Sequence, residues 1–469
     1  MADDGASGSP DPPRAGPVAT EAPAGGPAPP VRPRRTARRL GGTFLGSAKS
    51  RLLPASVPFR FFGAAVGFHV AAWMALAVGA DDFVQHAGGP GWVLAALHLI
   101  TLGVLATTAV GAALQLLPVA TRQPVRWPRA AAALWWVLVP GIALLTLGMA
   151  AVRVPWMLAG AAAVLPALAL AGVLLALNLR GARGMPGVVL HGWGALLALA
   201  VLLATAVLLL AGWTGRAWTD RGTAHAWHVL AGPFGFMGLL ALGLAYILVP
   251  MFALSDTPAE RRQLASGGAA LAALGLAGTA AALAGSDGLR ATLRAAAWLS
   301  AAVAVGLHLH EMRRALAGGM RRELGGSFVL VRSGWAALGA TLLLAAVVLA
   351  FPGAGVATRL LGLLAIGGWL LGFLLGMLQR ILPFLASMHA APGRRRAPTP
   401  SAFSDERALA LHRHAHGLAL LLLVAAVPLH SPGLARAGAL VGLVGALAYA
   451  VFFAALMRRW TRVAADPAG

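Results

Sequence analysis

Imidazole is the one metal-ligating side chain that this sequence places inside its apolar stretches. The chain holds 13 histidines and no cysteine in 469 residues, so thiolate metal sites, disulfides and cysteine catalysis are absent from the start. Neutral imidazole binds haem iron, copper or zinc through one ring nitrogen while the other donates a hydrogen bond that fixes the ring. His98 lies about seven residues into an apolar run, roughly 10 Å deep at the helical rise. His225 and His228 open a later run, three residues apart and therefore on one helical face. His69 stands near the middle of the first run, where a polar side chain is costly enough to carry a functional presumption. These four are the candidate cofactor ligands, and His98, His225 and His228 are also the candidate metal ligands.

The remaining histidines read more plainly. His86 lies at a span end where water solvates it cheaply, and His430 occupies the outer end of the eleventh span, from which it could close a site. His308, His310, His389, His412, His414 and His416 stand among arginines near the inner interface, where a snorkelling, topology-linked role is expected. In HRHAH, helical geometry puts His412 and His416 on one face and turns His414 away. The two tyrosines, Tyr246 and Tyr449, stand near no histidine in the sequence.

The elements that must position these residues are membrane helices. A chain that is 59% apolar and 11% charged, with mean hydropathy +0.77, is no soluble globule, and its long runs match the apolar thickness of a bilayer. Twelve such runs follow one another, the first at 59–80 and the last at 433–457. Their continuity excludes a β-barrel, whose strands alternate every second residue.

Three of the twelve share a pattern. Pro118, Pro250 and Pro383 each close a long run, and each has glycines seven and fifteen residues before it: Gly111 and Gly103, Gly243 and Gly235, Gly376 and Gly368. The repeats are about 132 residues, or four spans, apart, which predicts three pseudo-repeated four-helix units. The glycines allow either a flat macrocycle to approach the backbone or close helix packing. Gln115 and Arg380 hold the same place three residues before their prolines, where the expected role is to satisfy carbonyls that proline frees. For Arg380 a propionate or lipid-headgroup contact is the alternative.

Basic residues set the orientation. About 30 of the 37 Lys and Arg residues fall on the side of the N-terminus, in the two tails and around the even-numbered connections, which predicts both termini on the cytoplasmic side. The net charge of +22 therefore reflects topology, and no nucleic-acid partner is expected. Residues 1–58 read as a disordered Pro/Ala/Gly-rich cytoplasmic tail ending in a basic juxtamembrane segment on anionic lipid. Residues 59–457 form the membrane domain and 458–469 a cytoplasmic C-terminal tail. The near-total use of Arg over Lys suggests a GC-rich genome and, with the topology, a bacterial inner membrane.

Twelve spans in three four-helix units, histidines at the outer ends of spans two and six, and Gly-rich helices closed by proline resemble subunit I of the haem-copper oxidases, most closely the cbb3 and nitric oxide reductase branch and the related NnrS-type proteins. The resemblance covers roughly 59–457. It implies an all-α, haem-copper oxidase subunit I-like fold, haem b on His98, which matches the family's second-span ligand, and copper at His228 or His225, which match its sixth-span ligand. The seventh span here, ASGGAALAALGLAGTAAALAGS, lacks the family's His-His pair, and RLLGLLAIGGWLLG in the tenth lacks its haem ligands. The resemblance thus implies electron transfer or a nitric oxide or oxygen response in place of full oxygen reduction.

Three functions follow as expectations. The first is a haem protein with His98 as one axial ligand and His225, His228 or His69 as the other or as a small copper site; two axial histidines suit electron transfer, whereas one leaves iron open to a gas such as nitric oxide. The second is a transporter that reuses the bundle. The third is an assembly protein for respiratory-chain subunits.

Overall fold

The computed structural model describes residues 53–465 apart from 122, 217, 284, 286 and 392–397. The expected tail up to residue 52, its basic segment and the GRRR run before the eleventh span lie outside the described residues. Twelve helices are long and apolar enough to cross a membrane, and no strand occurs among the described residues. They are α1 (Ser56–Val78), α2 (Trp92–Pro118), α3 (Pro128–Ala150), α4 (Val154–Arg180), α5 (Pro186–Trp213), α6 (Arg221–Ala253), α7 (Glu260–Ala282), α8 (Asp287–Ala317), α9 (Ser327–Ala350), α10 (Gly355–Ala390), α11 (Glu406–Ala426) and α12 (Pro432–Ala465). This is the architecture of a multi-pass membrane protein, in which each helix satisfies its own backbone. The last helix runs to Ala465, past the point where hydropathy ends the span.

Local chemistry places the helix ends. Pro128 and Pro186 open α3 and α5, where a missing N–H costs nothing. Asp220 and Asp405 cap α6 and α11 by accepting the backbone N–H of Thr223 and of Ala408. Large apolar side chains such as Trp136, Leu197, Leu343 and Leu421 stay on the outside of the bundle, as a lipid-facing surface requires.

The bundle has a centre and a rim. Consecutive helices pair off, α1 with α2, α3 with α4, α5 with α6, α7 with α8, α9 with α10 and α11 with α12, and α12 closes the bundle by packing on α1. In their most apolar stretch α2 and α6 bury 67% and 78% of residues, α10 and α1 56% each and α7 17%, so α2 and α6 are the most central helices and α7 belongs to the rim.

Each proline-ended helix also changes pitch. Residues Leu99–Ala106, Leu230–Met237 and Leu364–Leu371 are π-helical inside α2, α6 and α10, and the three π segments pack against one another in pairs. A π turn leaves backbone groups out of register with the α ladder. The Thr107 hydroxyl repairs one of them by donating to the carbonyl of Leu102 at 2.9 Å.

The paired glycines admit the preceding helix. A Cβ on Gly103 would lie 2.7 Å from Phe68 Cβ and one on Gly111 2.6 Å from Phe61 Cβ, both on α1. On α6, Gly235 faces Ala198 and Gly243 faces His191 of α5; on α10, Gly368 faces Ala337 and Gly376 faces Val331 of α9. Of the two uses the sequence allows, helix packing is therefore the one the structure makes of all six.

Candidate functional site

The histidines collect in three places. The first is at the end of the bundle away from the start of α1. There His98 of α2 directly precedes a π segment and His228 of α6 nearly does, so both stand where the π segments converge. His98 is partly buried and its Nδ1–H donates to the Leu94 carbonyl at 3.0 Å. His228 is also partly buried; its Nδ1 lies 3.3 Å from the Thr205 hydroxyl of α5, whose own hydrogen goes to the carbonyls of Val201 and Leu202. In both rings Nδ1 is turned to an oxygen. His228 is within electrostatic reach of both His98 and His225. His225 itself is exposed.

The cap of α6 positions this group. Asp220 accepts the backbone N–H of Thr223 at 2.7 Å and its hydroxyl at 3.0 Å, and the backbone bond chiefly, then the hydroxyl bond, hold the carboxyl below its usual range. On the connection between α1 and α2, His86 is pushed below the ordinary imidazole range by burial, against the opposing charge of Asp82.

His69 goes to a second group. Its ring meets those of His412 and Tyr449 at centroid distances of 5.8 and 6.5 Å, and its Nε2 accepts the indole N–H of Trp73 at 3.0 Å. His416 stacks one turn along α11 from His412, at 6.0 Å. The third group is His191 of α5, Tyr246 of α6 and His308 of α8, with the tyrosine ring 5.5 Å from one histidine and 5.2 Å from the other. Gly243 and Gly267 flank the His191 ring so closely that neither position has room for a Cβ. Glu311, one turn from His308, is 3% exposed; it pairs with Arg262 and accepts the N–H of Ala259 at 3.1 Å.

These two groups correct the sequence reading of the inner histidines. His308, His412 and His416 are 1%, 0% and 5% exposed and face the interior, because the bundle needs no polar residue on its lipid side and these faces pack on other helices. His310 and His414 are exposed, as expected, and His389 is half-buried beside Phe59. Both tyrosines lie against histidines after all, brought there by α5, α8 and α11. His430 is exposed and turned to the Pro428 carbonyl, so it closes no site.

The polar residues before the prolines also take other partners. Arg380 Nε donates to the Ser327 hydroxyl at 2.9 Å, Gln379 accepts from Arg413 at 3.2 Å, and the buried amide of Gln115 has no partner. None of them meets a freed carbonyl. His191 carries no signal in the linear sequence; only the glycines facing it, far along the chain, mark it as a packed interior group. Among the described residues, no three His, Asp or Glu side chains converge as ligands of one ion.

No protein-family model and no curated protein sequence matches the chain.

Proposed function

We propose that the protein is a bacterial inner-membrane haem protein built on a haem-copper oxidase subunit I-like bundle of three pseudo-repeated four-helix units, with both termini cytoplasmic. The observation that carries the proposal is the pair His98 and His228. They come from matching places in two of the three proline-ended helices, at or near the start of π segments that pack on one another, and each has Nδ1 on an oxygen. That is the pattern of an imidazole oriented for ligation, so the residues present fit haem b.

The repeat reading is supported by the three π segments at matching positions and by the six glycines that each receive the preceding helix. His98 and His228 would hold the haem through their imidazoles, with His225 at the exposed rim. Haem so held supplies one-electron transfer; loss of either ligand would open the iron to nitric oxide or oxygen. Copper at the same histidines is the second occupant the side chains suit. A respiratory-chain subunit or a gas ligand is the partner this chemistry calls for.

A reduced-minus-oxidised spectrum and a pyridine haemochrome assay on the detergent-purified chain test the proposal. Stoichiometric haem b supports it; a colourless protein from haem-supplied cells overturns it and favours a transporter or assembly role. Reporter fusions at each terminus test the topology independently.

A further inference from the structure

The group formed by His69, His412, His416 and Tyr449 lies apart from the pair assigned to haem and has its own chemistry. Its three imidazoles are at most 5% exposed. Two of them have one ring nitrogen engaged: His69 Nε2 accepts from Trp73, and His412 Nδ1–H donates to the Gly445 carbonyl at 3.1 Å. The other nitrogens, His69 Nδ1, His412 Nε2 and His416 Nδ1, are buried without a partner, as is the Tyr449 hydroxyl.

These bonds fix the tautomers, because a neutral imidazole has one donor and one acceptor. His412 Nε2 is a lone pair, and His416 Nδ1 is one when that ring carries its proton on Nε2. His69 Nδ1 carries a proton, since its other nitrogen accepts the indole N–H. The group therefore offers up to two free lone pairs on α11, with free donors on the His69 ring of α1 and the Tyr449 ring of α12 packed against it.

Two histidines four residues apart on one helical face are a recurrent metal-ligand pair. Bonds of about 2.0 Å from nitrogen to a metal are compatible with the 6.0 Å between the His412 and His416 ring centroids. From this we infer that His412 and His416 bind a single transition-metal ion in the membrane interior, with the His69 N–H and the Tyr449 hydroxyl directed at a small ligand on that ion. Two ligands, rather than three, make up the protein's share.

The surroundings select the ion. No carboxylate lies in the group, and Arg413, the nearest cation on α11, is engaged by Glu406 and Gln379. The ion's charge must then be borne by an apolar interior, where the Born cost grows as the square of the charge, about fourfold from a monovalent to a divalent ion. Imidazole suits copper and zinc, and the charge argument favours cuprous copper over zinc.

The test is anaerobic titration of the chelator-treated, full-length protein in detergent with cuprous ion against a chromophoric competitor, and with zinc in parallel. The expected result is one tight cuprous site per chain, with zinc weaker. Removing an outer partner typically weakens a metal site about 10–100-fold, which is the loss expected for Trp73→Phe or His69→Phe. His412→Leu and His416→Leu should exceed that range, while His98→Leu, His228→Leu and the exposed control His414→Leu should leave the site intact.

X-ray absorption on the copper-loaded wild type needs no variant to fold, and should show two imidazole nitrogens. Cuprous binding that is absent, that survives in the His412→Leu/His416→Leu double variant, or that disappears with His98 overturns the inference, the first outcome marking a pocket that holds only water. Haem content is read separately on the same samples, so failure of the haem assignment and failure of this one are distinguishable.

Discussion

The imidazole of His69 meets that of His412 edge-on at 5.8 Å between ring centroids, although one stands in the first membrane helix and the other in the eleventh. The contact exists because α12 packs on α1 and pairs with α11, closing the bundle on itself. It brings the Tyr449 hydroxyl into the same buried group without a partner.

A buried polar group left unpaired costs about 1–3 kcal/mol. Tyr449→Phe removes that group and keeps the ring, so the metal-free protein should melt at a higher temperature than wild type. Scanning fluorimetry in detergent checks this; a lower melting temperature would show that the hydroxyl has a partner in solution.

The central glycines predict a position-dependent response to one methyl group. Gly111→Ala drives a Cβ to within 2.6 Å of Phe61, a side chain with no exposure, and overpacking of this kind costs about 1–3 kcal/mol. Gly67→Ala, on α1 with nothing within 4 Å, should be neutral or slightly stabilising. Thermal melts of the two variants side by side should separate them, and equal melting temperatures would remove the close-packing account.

Glu311 is buried while its partner Arg262 is 39% exposed. Arg262→Met leaves the carboxylate with the Ala259 N–H and the exposed His310 ring at 4.0 Å, and the partial exposure reduces the loss to about 1–3 kcal/mol. Glu311→Gln should restore part of it, so a double-mutant cycle on thermal stability should give a favourable coupling energy. Additive losses would mean the pair contributes nothing.

Asp220 gives the pH dependence. Its carboxyl is held below the usual range by the Thr223 bonds, so its capping effect is fully present above the unfolded value of about 3.9. The effect is lost as pH falls through the lower folded value. At neutral pH, Asp220→Ala should speed hydrogen exchange in the first turn of α6 and Asp220→Asn should not, because asparagine caps equally well. Under strong acid, wild type should approach the alanine variant; a pH-independent difference would contradict the assignment.

The membrane helices were legible because burial in lipid demands long apolar runs, and every helix carries one. Hydropathy could not show the π segments: in Leu99–Ala106 or Leu364–Leu371 every residue is apolar, small or Thr101, so an extra residue in a turn leaves no break in the pattern. The glycine spacing announced that something approaches α2, α6 and α10 but not what, since Phe68, Ala198 and Ala337 lie in other helices. Helical spacing puts His412 and His416 on one face and turns His414 away, and the structure buries the first two and exposes the third. Their burial was hidden because a neighbouring arginine reads as an interface signal, whereas Arg413 is tied to Glu406 and Gln379.

The central claim is that His98 and His228 hold haem b. Its most direct measurement is the haem-to-protein ratio by pyridine haemochrome, on wild type, His98→Ala, His228→Ala and His430→Ala purified from haem-supplied cells and matched for monodispersity. The account predicts one haem b per chain in wild type and His430→Ala. It also predicts strong loss in His98→Ala, and in His228→Ala either loss or a shift of the iron from low to high spin. Full, spectrally unchanged haem in both the His98 and His228 variants, or no haem in wild type, would contradict it.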